Sequence, residues 1–162
     1  IVPNTGLAEA AGLATSNGIE VDEYLRTSQP GIYAAGDVAS FFNPILGRRL
    51  RVEHADNAQA MGRAAGLNMA GRETPYDYLP FFYSDLFDLG YEAVGELSSK
   101  LEIVEDWQDP YQKGTLYYLE DGHVRGVLLW NVWGAADKAR ELLSAPGPFT
   151  PEVLNGKVAI EK

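Results

Sequence analysis

Two small groups of residues in this sequence are of the type and spacing that do chemistry. The first closes residues 27–37, TSQPGIYAAGD. Pro30-Gly31 predicts a turn, and Ile32-Tyr33-Ala34-Ala35 predicts a short buried strand. Gly36 has no Cβ and lets another group approach its backbone. Asp37 then places a carboxylate just past the strand's carboxyl end, where open α/β sheets bind ligands. Such a carboxylate accepts hydrogen bonds from ligand hydroxyls, although a strand with a plain polar exit carries the same dipeptide. The second group is Glu53-His54, directly ahead of a helical stretch. A helix start offers free N–H groups and partial positive charge to electron-rich ligand oxygens. The Glu53 carboxylate is expected to favour imidazolium at His54, raising its titration so that it can steady a developing anion. Away from a helix start, the same pair would be surface decoration. Arg48, Arg49 and Arg51 suit a phosphate or a partner carboxylate, or else a solvated loop.

The elements that must hold these groups follow from periodicity. Residues 1–12 read as an apolar start, a turn and a short Ala-rich helix, with Thr5 as its cap and Gly12 at its end. Residues 18–22 alternate like a half-buried strand. Residues 55–70 predict a helix closed by Gly71, with Ala58, Met61, Ala65 and Met69 as its buried stripe. Gly62 and Gly66 on the same helix predict a close backbone approach, since Ala would be the better helix former. Residues 72–80, RETPYDYLP, form a polar, Pro-flanked joint between domains.

Beyond the joint the character changes. Residues 81–85 are an aromatic cluster, expected in a core. Residues 101–107 alternate as a strand, and Asp121-Gly122 between residues 115–120 and 123–130 predicts a type I′ hairpin. Asn131 follows directly, then a helix over 135–143 stopped by Pro146-Gly147-Pro148, then a tail to Lys162 with weak strand character.

Composition narrows the function classes. With 13 basic and 23 acidic residues the 162-residue chain carries a formal charge of −10, against the basic footprint that nucleic acid demands. It has no cysteine, so it holds neither a redox dithiol nor a thiolate metal site, and its two histidines have no metal-ligand spacing. No run is long and apolar enough for a membrane span, and a cytoplasmic location is expected. Ile1 opens inside an apolar segment, which reads as a fragment or a processed product.

Three blocks, TSQPGIYAAGDV, GRRLRVEHADNAQAMGRAAGLNMAG and PFFYSDLFDLGYEAVGEL, together with the later GTLYYLEDGHVRGVLLWN, occur in the order of one family. The sequence resembles the C-terminal part of an FAD-dependent pyridine nucleotide oxidoreductase, in the apoptosis-inducing factor-like and ferredoxin (rubredoxin) reductase-like branch. The resemblance implies a mixed α/β and α+β fold, a partial Rossmann-like FAD-binding segment followed by a small antiparallel-sheet domain with helices. It implies that residues 1–16 are the exit of an NADH-binding domain, 17–75 the C-terminal half of an FAD-binding domain, and 76–162 a reductase and dimerisation domain.

For the site, the resemblance implies that Gly36 and Asp37 hold the ribityl chain of FAD and that Glu53 and His54 lie at the flavin–nicotinamide junction. It makes Tyr83 the flavin-stacking aromatic, often Trp in relatives, and Glu92 and Asn131 contacts of the reduced nicotinamide. The implied reaction passes a hydride from NAD(P)H to FAD and then electrons to ferredoxin, rubredoxin or quinone. Neither G-x-G-x-x-G fingerprint occurs here, so the remaining FAD and NADH domains become the expected partners and the chain alone is expected to bind neither cofactor tightly. A homodimer or swapped oligomer is expected, because surfaces that once faced those domains leave apolar area uncovered, and a self-associating module without activity of its own is the competing expectation.

Overall fold

Fifteen residues, Ala55–Met69, make the helix α2 around which the first half of the chain is built. The computed structural model describes residues 1–158. It divides into two units, Ile1–Pro80 and a second that begins at Phe81. In the first, a short helix α1 (Gly6–Ala10) precedes a four-stranded sheet in the order β1 (Thr15–Ser16), β2 (Gly18–Glu20), β3 (Ala39–Asn43) and β4 (Arg48–Leu50). Only β2 and β3 run parallel, with Ile19 opposite Ala39. The core gathers Val21, Leu25, Ala39, Phe41 and Tyr76 against Met61, Ala64 and Ala65 of α2.

Asparagines fasten α2 to its surroundings. Asn68 donates to the carbonyls of Tyr24 and Thr74 at 2.9 and 3.0 Å, and Asn57 accepts from the Tyr76 hydroxyl at 2.8 Å. These side chains are buried with their hydrogen bonds made, which is the condition for burying them at low cost.

Several expectations are corrected here. Residues 32–35 form no strand; they carry one bridge, Tyr33 to Arg26. The reason is local: the carbonyl of Ile32 accepts from both the backbone N–H and the hydroxyl of Thr27, and the N–H of Ala34 donates to Leu25, so a closed loop uses the groups a sheet would need. Thr5 stands at the N-cap of α1 as expected, but its hydroxyl donates to the Glu9 carboxylate and makes no side-chain cap bond. The stripe on α2 ends one turn early, since Met69 is exposed. A Cβ on Gly62 or Gly66 would meet nothing within 4 Å, so neither marks a close approach among the described residues. Gly62→Ala is therefore expected to stabilise this chain by about 0.5–1 kcal/mol, through helix propensity alone. Urea titration followed by far-UV circular dichroism would measure it, and a loss of stability would reveal a neighbour on that face.

The second unit is an antiparallel sheet in the order β5 (Phe81–Leu86), β6 (Leu89–Gly95), β9 (His123–Trp130), β8 (Lys113–Glu120) and β7 (Glu102–Asp109). Helix α3 (Ala136–Ser144) packs on β6 and β9, burying Ala139, Leu142 and Leu143. The β8–β9 turn has Asp121 and Gly122 at φ 51° and 73°, the double positive φ of a type I′ turn. In the tail the expected strand is replaced, up to Val158, by a short helix α4 (Pro151–Leu154) and a turn, because Pro151 is already set for a first helical turn. The remainder of that expectation, residues 159–162, lies outside the described residues. No helix among the described residues is long and apolar enough to cross a membrane.

Candidate functional site

In the first unit, Gly36–Val38 is a single 3-10 turn that packs against α2. Gly36 has φ 78°, and a Cβ built on it would lie 3.7 Å from the Ala58 Cβ. The turn can therefore sit against the helix only with a residue that tolerates this conformation. It leaves the Asp37 side chain exposed, and no donor among the described residues bonds its carboxylate. Its backbone carbonyl is held: Arg51 Nη1 donates to it at 3.0 Å.

The same guanidinium organises the entry to α2. Arg51 Nη1 lies 2.5 Å from Glu53 Oε1, and Nε donates to Asn17 Oδ1 at 3.1 Å. Arg49 is also engaged, donating to the carbonyls of Val21 and Ser40. Backbone and carboxylate oxygens of this chain thus engage both arginines, Arg49 while still exposed to solvent and Arg51 with its side chain buried. A signal for this was present in the sequence. Arg51 and Glu53 are two apart on an extended segment, which points their side chains the same way.

His54 occupies the N-cap position of α2 without a side-chain cap bond, and its carbonyl accepts from Ala58 at 2.9 Å. The first turn is steadied by Asp56, which accepts from the Tyr78 hydroxyl at 2.8 Å. The expected upward shift of His54 is corrected. Burial disfavours its charged form and pulls its pKa below the ordinary 6.5, outweighing the opposing pull of Glu53, Asp56 and Asp37. The Arg51 charge beside Glu53 helps to explain why that carboxylate fails to prevail. A histidine with a depressed folded pKa contributes stability that is complete above the unfolded value and falls as pH drops through the folded one. We expect the His54 ring resonances to titrate below pH 6.5 in proton NMR; a midpoint above it would contradict the burial argument.

In the second unit, Tyr83 and Glu92 are opposite each other on β5 and β6. Tyr83 is 64% exposed and stacks on Phe81 at 6.4 Å, and Phe81 and Phe82 are only half-buried, so the expectation of a core cluster is corrected. An edge strand explains the difference, because β5 has a neighbour on one side only among the described residues. Glu92 Oε2 accepts from the Gly134 backbone at 2.9 Å. Asn131, at φ 50°, accepts from Gly90 and donates to the Gln112 carbonyl, each at 2.8 Å. Both side chains thus shape the loop after β9, over which Trp133 covers Gly90 so closely that a Cβ there would lie 2.6 Å from its ring. The structure assembles Gly36, Asp37, Glu53 and His54 around one helix start, and Tyr83, Glu92 and Asn131 around one hairpin and loop.

A free carboxylate beside an uncapped helix start fits a ligand bearing hydroxyls and electron-rich oxygens, as the ribityl and ring portions of FAD do. Residues 1–62 match the pyridine nucleotide-disulphide oxidoreductase family, and residues 103–145 match the C-terminal domain of mitochondrion-associated apoptosis-inducing factor. Over 158 residues the chain is 42% identical to apoptosis-inducing factor 1, mitochondrial, of Dictyostelium discoideum, an alignment covering 88% of this chain and 30% of that protein. It is 33% identical to the ferredoxin–NAD(+) reductase component of the anthranilate 1,2-dioxygenase system of Burkholderia cepacia, covering 95% of this chain and 38% of that one. Among solved structures, a ferredoxin reductase from Rhodopseudomonas palustris superposes with a TM-score of 0.82 at 33% identity, over 93% of this chain and 37% of its own. The covalent putidaredoxin reductase–putidaredoxin complex gives 0.83 at 31% identity, over 95% and 37%. The chain thus spans between 30% and 38% of the length of these relatives. It belongs to the FAD-dependent pyridine nucleotide oxidoreductases, in the branch of the apoptosis-inducing factors and ferredoxin reductases.

Proposed function

We propose that this chain supplies part of the FAD and NAD(P)H sites of a flavoprotein reductase, which takes a hydride from reduced nicotinamide and delivers electrons to a ferredoxin-like carrier. The observation that carries the reading is the exposed Asp37 carboxylate standing beside the uncapped, Arg51-braced start of α2. In this reading Gly36 gives backbone access and Asp37 accepts hydrogen bonds from ribityl hydroxyls. Glu53 and His54 border the flavin–nicotinamide junction. The α2 start faces the flavin's pyrimidine edge and opposes negative charge there. Tyr83 offers a stacking face, and Glu92 and Asn131 border the nicotinamide while holding their loop. FAD, when bound, supplies two-electron acceptance and one-electron release; the chain's residues bind, orient and stabilise charge.

Residues 1–16, 17–75 and 76–162 then correspond to the exit of the NADH domain, part of the FAD domain and the C-terminal domain. A cytoplasmic location and an acceptor such as ferredoxin, rubredoxin or quinone belong to the same proposal. A second reading, self-association without activity, is favoured by one observation. Leu7, Ile32 and their neighbours line an apolar cavity of about 460 Å³ in the first unit.

Size-exclusion chromatography of the chain after incubation with FAD separates these readings. A flavin-free species is the expected result. A flavin-free dimer supports self-association, and a species eluting with flavin absorbance would overturn the view that this chain completes no cofactor site alone.

A further inference from the structure

Arg51 touches three separate segments and is almost wholly buried, its side chain 7% exposed. Its acceptors are Asn17 Oδ1 in the turn between β1 and β2, the carbonyl of Asp37, and the carboxylate of Glu53 at the entry to α2. The planar fork of a guanidinium serves diverging acceptors in a way an ammonium does not. The chain also makes room for its stem. Gly18 has φ 115°, and a Cβ there would lie 2.7 Å from Arg51 Cδ and 2.6 Å from the Val38 carbonyl oxygen. A buried cation is costly unless paired and hydrogen-bonded, and here Glu53 and the two neutral oxygens meet both conditions. Meanwhile the side chain of Asp37 stays exposed, so only its backbone is tethered.

We propose that Arg51 is a positioning residue that locks the Gly36–Val38 turn to the Glu53–His54 entry of α2, fixing the offset at which the Asp37 and Glu53 carboxylates are presented to one ligand. That the ligand is the flavin rests on the function proposed above; the tether itself does not. Arg51 neutralises Glu53 within the lock, so the two residues act as one unit and their removal is not additive.

Nitrogen-15 NMR of the 162-residue chain tests the tether without cofactor. An Arg51 Nε–H signal in slow exchange with water is expected, assigned by its loss in Arg51→Lys and shifted in both Asn17→Ala and Glu53→Gln. Asn17→Ala removes an acceptor without stranding a charge, so this readout survives even where Arg51→Met does not fold. Exchange as fast as that of the exposed Arg72, with no response to either substitution, would overturn the proposal. In a flavin-bearing protein containing this sequence, Arg51→Met is expected to weaken FAD about tenfold more in the native background than in a Glu53→Gln background. Additive losses would also overturn it. If Asp37→Ala leaves flavin content untouched while the Arg51 signal is protected and coupled, the flavin reading fails and the tether stands. If Asp37→Ala strips the flavin while the Arg51 signal exchanges freely, the tether fails and the flavin reading stands.

Discussion

Gly126→Ala is expected to destabilise the second unit by about 3 kcal/mol or more, the upper end of what a single added methyl costs a packed interior. Gly126 lies on β9 opposite Gly95 of β6. A Cβ built on it would stand 2.1 Å from the Glu96 carbonyl oxygen, 2.7 Å from its carbon and 3.0 Å from its nitrogen. These are backbone atoms, and Glu96 is itself held by a 2.8 Å bond from its N–H to the Arg125 carbonyl. No side chain can swing aside to relieve the clash, so two strands must part. For a unit of this size such a loss lowers the melting temperature by about 10 °C or more. Differential scanning calorimetry, with near-UV circular dichroism reporting the Tyr91–Trp130 stack of this sheet, would show it. A shift under 2 °C (about 0.5 kcal/mol) would mean that the sheet absorbs a methyl group at this seam.

Asp37→Ala is expected to cost a flavin-bearing protein that contains this sequence about tenfold to a hundredfold in FAD affinity. Hydrogen bonds from ligand hydroxyls to an ionised carboxylate are worth about 1.5–3 kcal/mol, and 1.4 kcal/mol is a factor of ten. The substitution should leave the fold alone, because the Asp37 side chain is exposed and its tether runs through the backbone carbonyl. Asp37→Asn keeps the shape and loses the charge, and should fall between. Flavin-to-protein ratios after dialysis, with circular dichroism as the control, give the answer. An undiminished ratio in Asp37→Ala would remove the central residue from the proposed site.

Much of this was legible in the sequence, for reasons that differ by region. The type I′ hairpin was readable because Asp121-Gly122 is a local instruction that needs no distant partner. The bounds of α2 were readable for the same reason, with Gly71 at φ 80° just past its end. Residues 32–35 misled because their apolar run fits a strand, while the hydrogen bonds that decide the matter come from Thr27 and Leu25. His54 misled because the carboxylates beside it are visible in one dimension and its burial is not. Gly62 and Gly66 promised a neighbour that the described residues do not supply. Arg51 is the instructive case. Its pairing with Glu53 follows from spacing, but its bonds to Asn17 and Asp37 span 34 and 14 residues and required the fold.

The order of the second sheet also has a consequence in time. Three of its four pairings, β5–β6, β7–β8 and β8–β9, join strands adjacent in sequence, and only β6–β9 bridges a long stretch of chain. Closing short loops costs little entropy, so the β7–β8–β9 meander and the β5–β6 hairpin can each form early, with the β6–β9 junction sealing last. Gly126 sits on that junction. Strain introduced there is largely unfelt on the way up the folding barrier and released on the way down from the native state. The Gly126→Ala protein should accordingly refold at nearly its native rate and come apart much faster, so that what the glycine protects is the lifetime of the folded sheet rather than the speed of reaching it.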